Sequence, residues 1–229
     1  MIRSNFFLTF INRCKSLIIS IVLMFTSCTN SVIQNDSNNE KVIRALSYKV
    51  SLELCICDTS YIGKYPNSMV SVIMFEGSKM KVFPSVLQSC YNCNWVDIYN
   101  PQFKDFPEEL CNYKSLEAII LKKNSFKKVP ECVFSLTNIR VLQLEGSLLQ
   151  NIPNGISNLI NLEVLSLSIS ENPIIPKGFF KLKKLCLFEV YRLKNNKNYK
   201  VSKNDLSEIK KLFKDSLPRC QVVINGVGL

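Results

Sequence analysis

Apolar positions in the middle of this chain recur with a period of 23 residues. Proline recurs at the same interval, at Pro84, Pro107, Pro130, Pro153 and Pro176. An apolar residue stands nine positions before each proline, and others stand two and five positions before that one. Six units share the pattern, and they begin with Val70, Cys93, Leu116, Ile139, Leu162 and Leu185. A period that survives five steps without an insertion indicates an array of structural repeats.

Each unit predicts one short strand followed by one turn of helix. Ile119 and Leu121 alternate with outward positions, which is typical of a strand with one buried face. Proline cannot donate a hydrogen bond within a sheet, so it begins the return leg of the unit. The apolar residues three and six positions after it, such as Ile156 and Leu159, suit one helical or 3₁₀ turn that faces the core. Because one unit cannot bury its apolar side alone, we expect the units to stack into a parallel sheet.

The segments on either side of the array predict caps that cover its ends. Apolar and polar residues alternate from Tyr48 to Ile56, which predicts an additional N-terminal strand. After the array, a polar stretch from Ser202 resembles a helix N-terminus, and apolar residues between Leu206 and Phe213 follow helical spacing. Pro218 ends this helix, and residues 220–224 predict one more strand.

This pattern resembles the leucine-rich-repeat family, in the class with 23-residue repeats, over roughly residues 70–193. The resemblance implies an α/β fold: a right-handed solenoid, shaped like a horseshoe, with a parallel sheet on its concave face. The family usually has Asn three positions after the third apolar residue of the strand. Here only Asn124 matches, and the other repeats have Ser78, Pro101, Ser147, Ser170 and Leu193. We therefore expect an N-terminal cap over 46–69, six repeats over 70–198 with the last one degenerate, and a C-terminal cap over 199–229.

The outward positions of the predicted strands form the candidate partner-binding surface. Trp95 is the only tryptophan in the chain, and large aromatic side chains with a polar rim are typical of binding surfaces. The alternative interpretation is that valine at these positions simply favours a strand. The residues predicted to face a partner are Val72, Met74, Trp95, Asp97, Tyr99, Ile120, Lys122, Val141, Gln143, Val164, Leu187, Glu189 and Tyr191. We expect them to bind a protein without catalysis.

The N-terminus resembles a bacterial lipoprotein signal. Three basic residues precede an apolar run over 17–25, which is the length of a signal-peptide core and short for a membrane span. Two small residues then precede Cys28, the predicted lipid attachment site. We expect a signal peptide over 1–27, a flexible tether over 28–45, and a membrane-anchored protein of the cell envelope, at the outer membrane or cell surface. An ordinary secretory signal is the alternative.

The charge of the chain is concentrated at its ends. The 229 residues carry a formal net charge of +11 and no histidine, which excludes imidazole catalysis and histidine-ligated zinc. Residues 28–176 carry 13 bases and 14 acids, whereas 177–229 carry 13 bases and four acids. The bases are mostly lysine, so we expect no nucleic-acid partner. Binding of a glycan or an anionic envelope polymer by the basic C-terminal end is the first alternative function.

The cysteines carry a second alternative and one expected crosslink. Cys90 and Cys93 have the spacing of a thiol oxidoreductase motif, but the repeat register assigns both to the core. A structural zinc site needs further ligands, so we expect neither a metal nor a cofactor. Cys111 and Cys132 fall on the return legs of adjacent repeats and could form a disulfide.

Overall fold

The computed structural model describes residues 54–56, 70–75, 81–99, 103–169, 174–192, 203–225 and 227–228. The predicted signal peptide, Cys28, the tether and most of the predicted N-terminal cap lie outside these ranges. No helix within them has the length and the apolar content needed to cross a membrane.

The described residues form an open sheet whose nine strands follow one another in chain order. Every neighbouring pair is parallel except the last, which is antiparallel. This topology confirms the predicted leucine-rich-repeat solenoid of the α/β class. The strands are β1 (Leu54–Ile56), β2 (Val70–Phe75), β3 (Trp95–Tyr99), β4 (Ala118–Lys122), β5 (Val141–Leu149), β6 (Val164–Ile169), β7 (Leu187–Arg192), β8 (Gln221–Ile224) and β9 (Val227–Gly228).

The return leg of each complete repeat is a short 3₁₀ helix, as the spacing predicts. In four repeats the proline immediately precedes the helix, and its carbonyl accepts the first turn's hydrogen bond, as from Leu110 to Pro107 at 3.1 Å. The inward residues Leu116, Ile119 and Leu121 are fully buried, so strand and return leg enclose one continuous core. The 3₁₀ segments are Ser85–Ser89, Glu108–Asn112, Glu131–Ser135, Asn154–Asn158 and Phe179–Lys181.

Serine replaces the family's asparagine in one of the described turns and bonds the same kind of groups. Asn124 Nδ2 donates to the carbonyl of Leu121 at 2.7 Å and to that of Glu145 at 3.3 Å. Ser147 Oγ contacts the carbonyls of Leu144 at 2.7 Å and Ser168 at 3.1 Å. The hydroxyl thus lies where it can bridge its own repeat and the next one. The positions of Ser78, Pro101, Ser170 and Leu193 lie outside the described residues.

The C-terminal cap contains the predicted helix (Lys203–Ser216) and the predicted strand β8. The helix buries Phe213 against Phe179 and Phe188 of the last repeat, with ring centroids 5.7 and 5.4 Å away. The short strand β9 was not predicted. It follows a turn in which Asn225 has a φ of 52°, a left-handed conformation that asparagine tolerates better than most residues.

Candidate binding surface

The outward side chains of the sheet form three rows that run across the strands, and the first two rows are in register throughout. The first row contains Val72, Trp95, Ala118, Val141, Val164 and Leu187. The second row contains Met74, Asp97, Ile120, Gln143, Ser166 and Glu189. The third row contains Tyr99, Lys122, Glu145, Ser168 and Tyr191. The register therefore brings the predicted residues together on one face, but the rows differ in exposure.

Most of the first row is buried, which corrects the expectation of an exposed apolar stripe. Only 3% of Val72, 3% of Val141, 2% of Val164 and 6% of Leu187 is exposed. Parallel strands lie about 4.8 Å apart, so in-register side chains of this size cover one another's flanks. These residues offer a partner little surface. Trp95 is the only member of this row that is half-exposed.

The second row is also largely closed. Asp97, Ile120, Gln143 and Ser166 are buried, whereas Glu189 is half-buried. The structure describes the position of Met74 in β2 but not the exposure of its side chain. The accessible part of this row is therefore its C-terminal end, at Glu189.

The third row keeps accessible aromatic and charged side chains close together. Tyr99 is 37% exposed, and Lys123 Nζ lies 4.8 Å from the centre of its ring. Lys122 Nζ lies 3.3 Å from Glu145 Oε1, and the Ser166 hydroxyl donates to the same carboxylate oxygen at 3.3 Å. Both members of the ion pair are partly exposed, so a partner can reach them.

Glu189 and Tyr191 form the other half of this accessible cluster. Partial burial and the nearby Glu145 carboxylate raise the pKa of Glu189, while a hydrogen bond with Tyr191 opposes that shift. Burial and the two carboxylates raise the pKa of Tyr191 to about 12. The Tyr191 hydroxyl therefore remains a neutral donor at physiological pH. The charge of Glu189 is less well compensated than that of Glu145, because Lys122 forms its ion pair with Glu145.

Trp95 has an unused hydrogen-bonding group. Its indole N–H is buried and has no acceptor within the described part of the chain. A buried unsatisfied donor costs about 1–3 kcal/mol. The ring therefore combines apolar area with one donor that the rest of this face does not satisfy.

A second polar feature, which the repeat pattern did not predict, is a ladder of charged residues on the edge where the strands begin. Arg140 donates to both carboxylate oxygens of Glu163, at 2.7 and 3.1 Å, and lies 3.7 Å from Glu117. The hydrogen bond with Glu163 is the main cause that raises the pKa of Arg140. A groove of about 410 Å³ follows this edge past Asn138 and Asn161. The signal was available in the sequence, since the three charged residues are one period apart.

The cysteine positions weaken the oxidoreductase alternative. Cys90 and Cys93 are both fully buried, and burial raises the pKa of Cys90 to about 11. A thiol enzyme needs an accessible thiolate, which this environment disfavours. Cys111 and Cys132 are joined by a disulfide with their Cα atoms 5.7 Å apart. Among the residues that the structure describes, no group of three or more cysteines and carboxylates could hold a metal ion.

Solved structures with the same architecture are leucine-rich-repeat proteins. One from Leptospira interrogans aligns with a TM-score of 0.51 and 18% identity, over 70% of this chain and 51% of that chain. An internalin from Listeria monocytogenes aligns with a TM-score of 0.53 and 15% identity, over 73% of this chain and 51% of that chain. This chain therefore spans about half the length of either structure, and it shares their fold. No family model and no curated protein matches it.

Proposed function

We propose that this chain is a protein-binding module that holds its partner at the accessible part of the concave face. The observation that carries the proposal is the cluster of Tyr99, Lys122, Glu145, Glu189 and Tyr191, which remains reachable while most other outward residues of known exposure are buried. Aromatic anchors beside charged groups are the composition of energetic centres in protein interfaces. We call this cluster, together with Trp95, the concave patch.

The charge of the concave patch indicates which partner chemistry fits it. Lys122 pairs with Glu145, and Glu189 is left with the Tyr191 and Ser166 hydroxyls and the more distant Lys122. A basic side chain of the partner beside Glu189 would complete the compensation and favour its ionised form. The partner segment that fits is therefore a basic one.

The test is crosslinking followed by affinity capture from intact cells, with the wild type compared to Trp95→Ala and Glu189→Gln. We expect a specific protein whose capture falls about tenfold or more with Trp95→Ala, as for a central interface residue. Tyr91→Ala is the matched control, because Tyr91 is 66% exposed and precedes β3 outside the concave rows. An unchanged capture with Trp95→Ala, or an equal loss with Tyr91→Ala, would contradict the concave patch.

The basic C-terminal end supports a second candidate function, the binding of an anionic polymer. Lys210, Lys211 and Lys214 of the capping helix are exposed, and Asp215 and Glu208 are exposed beside them. The mixed signs weaken this candidate. It predicts capture that declines steeply with salt and depends on the three lysines, whereas the concave patch predicts capture that depends on Trp95.

We also propose that the chain is exported and anchored by a lipid on Cys28. The support lies in the apolar run over 17–25 and in the small residues before Cys28. Cys28→Ser is expected to abolish labelling by a fatty-acid analogue and to release the protein from the membrane fraction. Retention of the variant in that fraction would be the contrary result.

A further inference from the structure

We infer that Cys186 and Cys220 form a disulfide that fastens the C-terminal cap to the last repeat. Cys186 immediately precedes β7, and Cys220 immediately precedes β8. Leu187 pairs with Gln221 in the register of these strands, and the Gln221 N–H donates to the Cys186 carbonyl at 2.7 Å. The two cysteines therefore occupy equivalent positions on neighbouring strands. Parallel strands lie about 4.8 Å apart, and a disulfide needs Cα atoms about 4.4–6.8 Å apart.

The side chains at this position already contact one another in the preceding repeats. Glu117, Arg140 and Glu163 each immediately precede a strand, and their charged groups lie 2.7–3.7 Å apart. Cys186 is the next member of this ladder, and Cys220 follows it. The position before each strand is therefore occupied by charged residues within the array and by two adjacent cysteines where the repeats end.

Each of the two sulfur atoms lies beside a backbone carbonyl oxygen. Cys186 Sγ lies 3.2 Å from the Glu163 carbonyl, and Cys220 Sγ lies 3.6 Å from the Gln221 carbonyl. Both residues are half-buried, in contrast to the fully buried Cys90 and Cys93. Rotation about the Cα–Cβ bonds exchanges staggered rotamers and can turn the sulfur atoms toward each other.

The bond forms by exchange with a small-molecule disulfide such as oxidised glutathione. One cysteine thiolate attacks that disulfide, forms a mixed disulfide and releases one glutathione thiolate. The second cysteine thiolate attacks the mixed disulfide at the protein sulfur and releases the other glutathione thiolate. Two protein thiols lose two electrons and two protons, and the oxidant becomes two reduced glutathione molecules. In the cell this oxidation depends on the proposed export, since oxidising compartments allow disulfides to persist.

The disulfide would add a covalent link where the cap is otherwise joined to the last repeat by side-chain packing and strand hydrogen bonds. The capping helix packs through Phe213 on Phe179 and Phe188, and strand β8 continues the sheet. Cys111 and Cys132 already link two adjacent repeats on the return-leg side. The second bond would link the last repeat to its cap at the strand edge, where fraying would begin.

The test uses the purified full-length chain in a glutathione redox mixture. Remaining thiols are blocked with N-ethylmaleimide, and the unreduced protein is digested and analysed by mass spectrometry. We expect a peptide pair joined through Cys186 and Cys220, which disappears in Cys220→Ser. The pair joined through Cys111 and Cys132 is the internal control for oxidation. Maleimide on both Cys186 and Cys220 while that control pair has formed would overturn the inference. This outcome is independent of export, which the Cys28→Ser fractionation tests.

A stability measurement gives the second criterion. In a Cys111→Ser/Cys132→Ser background, reductant is expected to lower the Tm by roughly 5 °C or more, because the Cys186–Cys220 bond closes a loop that contains the capping helix. The same background with Cys186→Ser added is the matched control and should not respond to reductant. Equal Tm values with and without reductant in the first variant would count against the inferred bond.

Discussion

The first and third rows of the concave face come from the same strands, yet they have different roles. The first row consists of apolar residues that are buried, with the exception of Trp95. The third row carries tyrosines and charged groups that are accessible, with the exception of Ser168. Both rows run across the same strands, so the strand order does not separate them. The difference lies in the position along each strand and in the chemistry of the residues there.

This contrast shows that an outward position in a repeat is not by itself a binding position. In the first row, valines on adjacent strands pack against each other and stabilise the sheet. In the third row, the side chains make specific polar contacts, such as the ion pair between Lys122 and Glu145. The C-terminal ends of the strands therefore offer a partner more accessible side chains than the beginnings of the strands.

Among the substitutions that test this comparison, Val141→Asp should have the largest effect on stability. It places a carboxylate at a site that is 3% exposed, and burying an unpaired charge should destabilise the protein by more than about 3 kcal/mol. Tyr99→Asp places the same charge on the same face at a site that is 37% exposed, and should cost less than about 1 kcal/mol. Urea unfolding followed by circular dichroism measures both. Similar losses would mean that the two rows do not differ in burial.

Gly146→Ala should have an intermediate effect, localised at the third row. Gly146 follows Glu145 with a φ of 91°, and an added Cβ would lie 2.9 Å from the Cα atom of Lys123. Strain of this kind costs roughly 1–3 kcal/mol. Gly228→Ala is the control, because no atom lies within 4 Å of an added Cβ there, and it should change stability by less than about 0.5 kcal/mol. The midpoint of urea unfolding distinguishes the two, and equal midpoints would refute the strain.

Glu189→Gln should have the smallest effect on stability, and the size of this effect depends on pH. Burial and Glu145 raise the pKa of Glu189 above its ordinary 4.5, so the folded state holds this proton more tightly than the unfolded state. The stability of the wild type therefore falls as pH rises through this range. We expect the variant to match the wild type below pH 4.5 and to be more stable at neutral pH. The exposed Glu131→Gln is the control, and a gain for Glu189→Gln that is independent of pH would contradict this assignment.

The repeat architecture could be predicted because its signal is redundant. Pro107, Leu116, Ile119 and Leu121 each have counterparts one period away, and the required strand, return leg and core follow from backbone hydrogen bonding and burial. The capping helix was predictable from its own periodicity. Strand β9 was not, because two residues carry no periodic signal.

The candidate site was predictable only in part. The sequence pattern placed Trp95, Tyr99 and Tyr191 on the outward face, but for Val141 and Val164 it left open whether they contact a partner or only favour a strand. Exposure depends on the neighbours that cover a side chain, and a linear pattern does not contain them. The ladder of Glu117, Arg140 and Glu163 was visible as a period, but its contact distances depend on how the repeats stack.

By itself, the amino-acid sequence determined the solenoid, its register and the presence of the C-terminal capping helix, because each repeat meets the same steric and burial requirements independently. Tertiary structure alone decided which outward side chains remain accessible and which side chains of successive strands touch. Those properties are set by contacts between residues a full period apart, as for Arg140 and Glu163 at the edge where the strands begin. The burial and the contacts of side chains depend on how the repeats stack, whereas the pattern of apolar residues is present within each repeat.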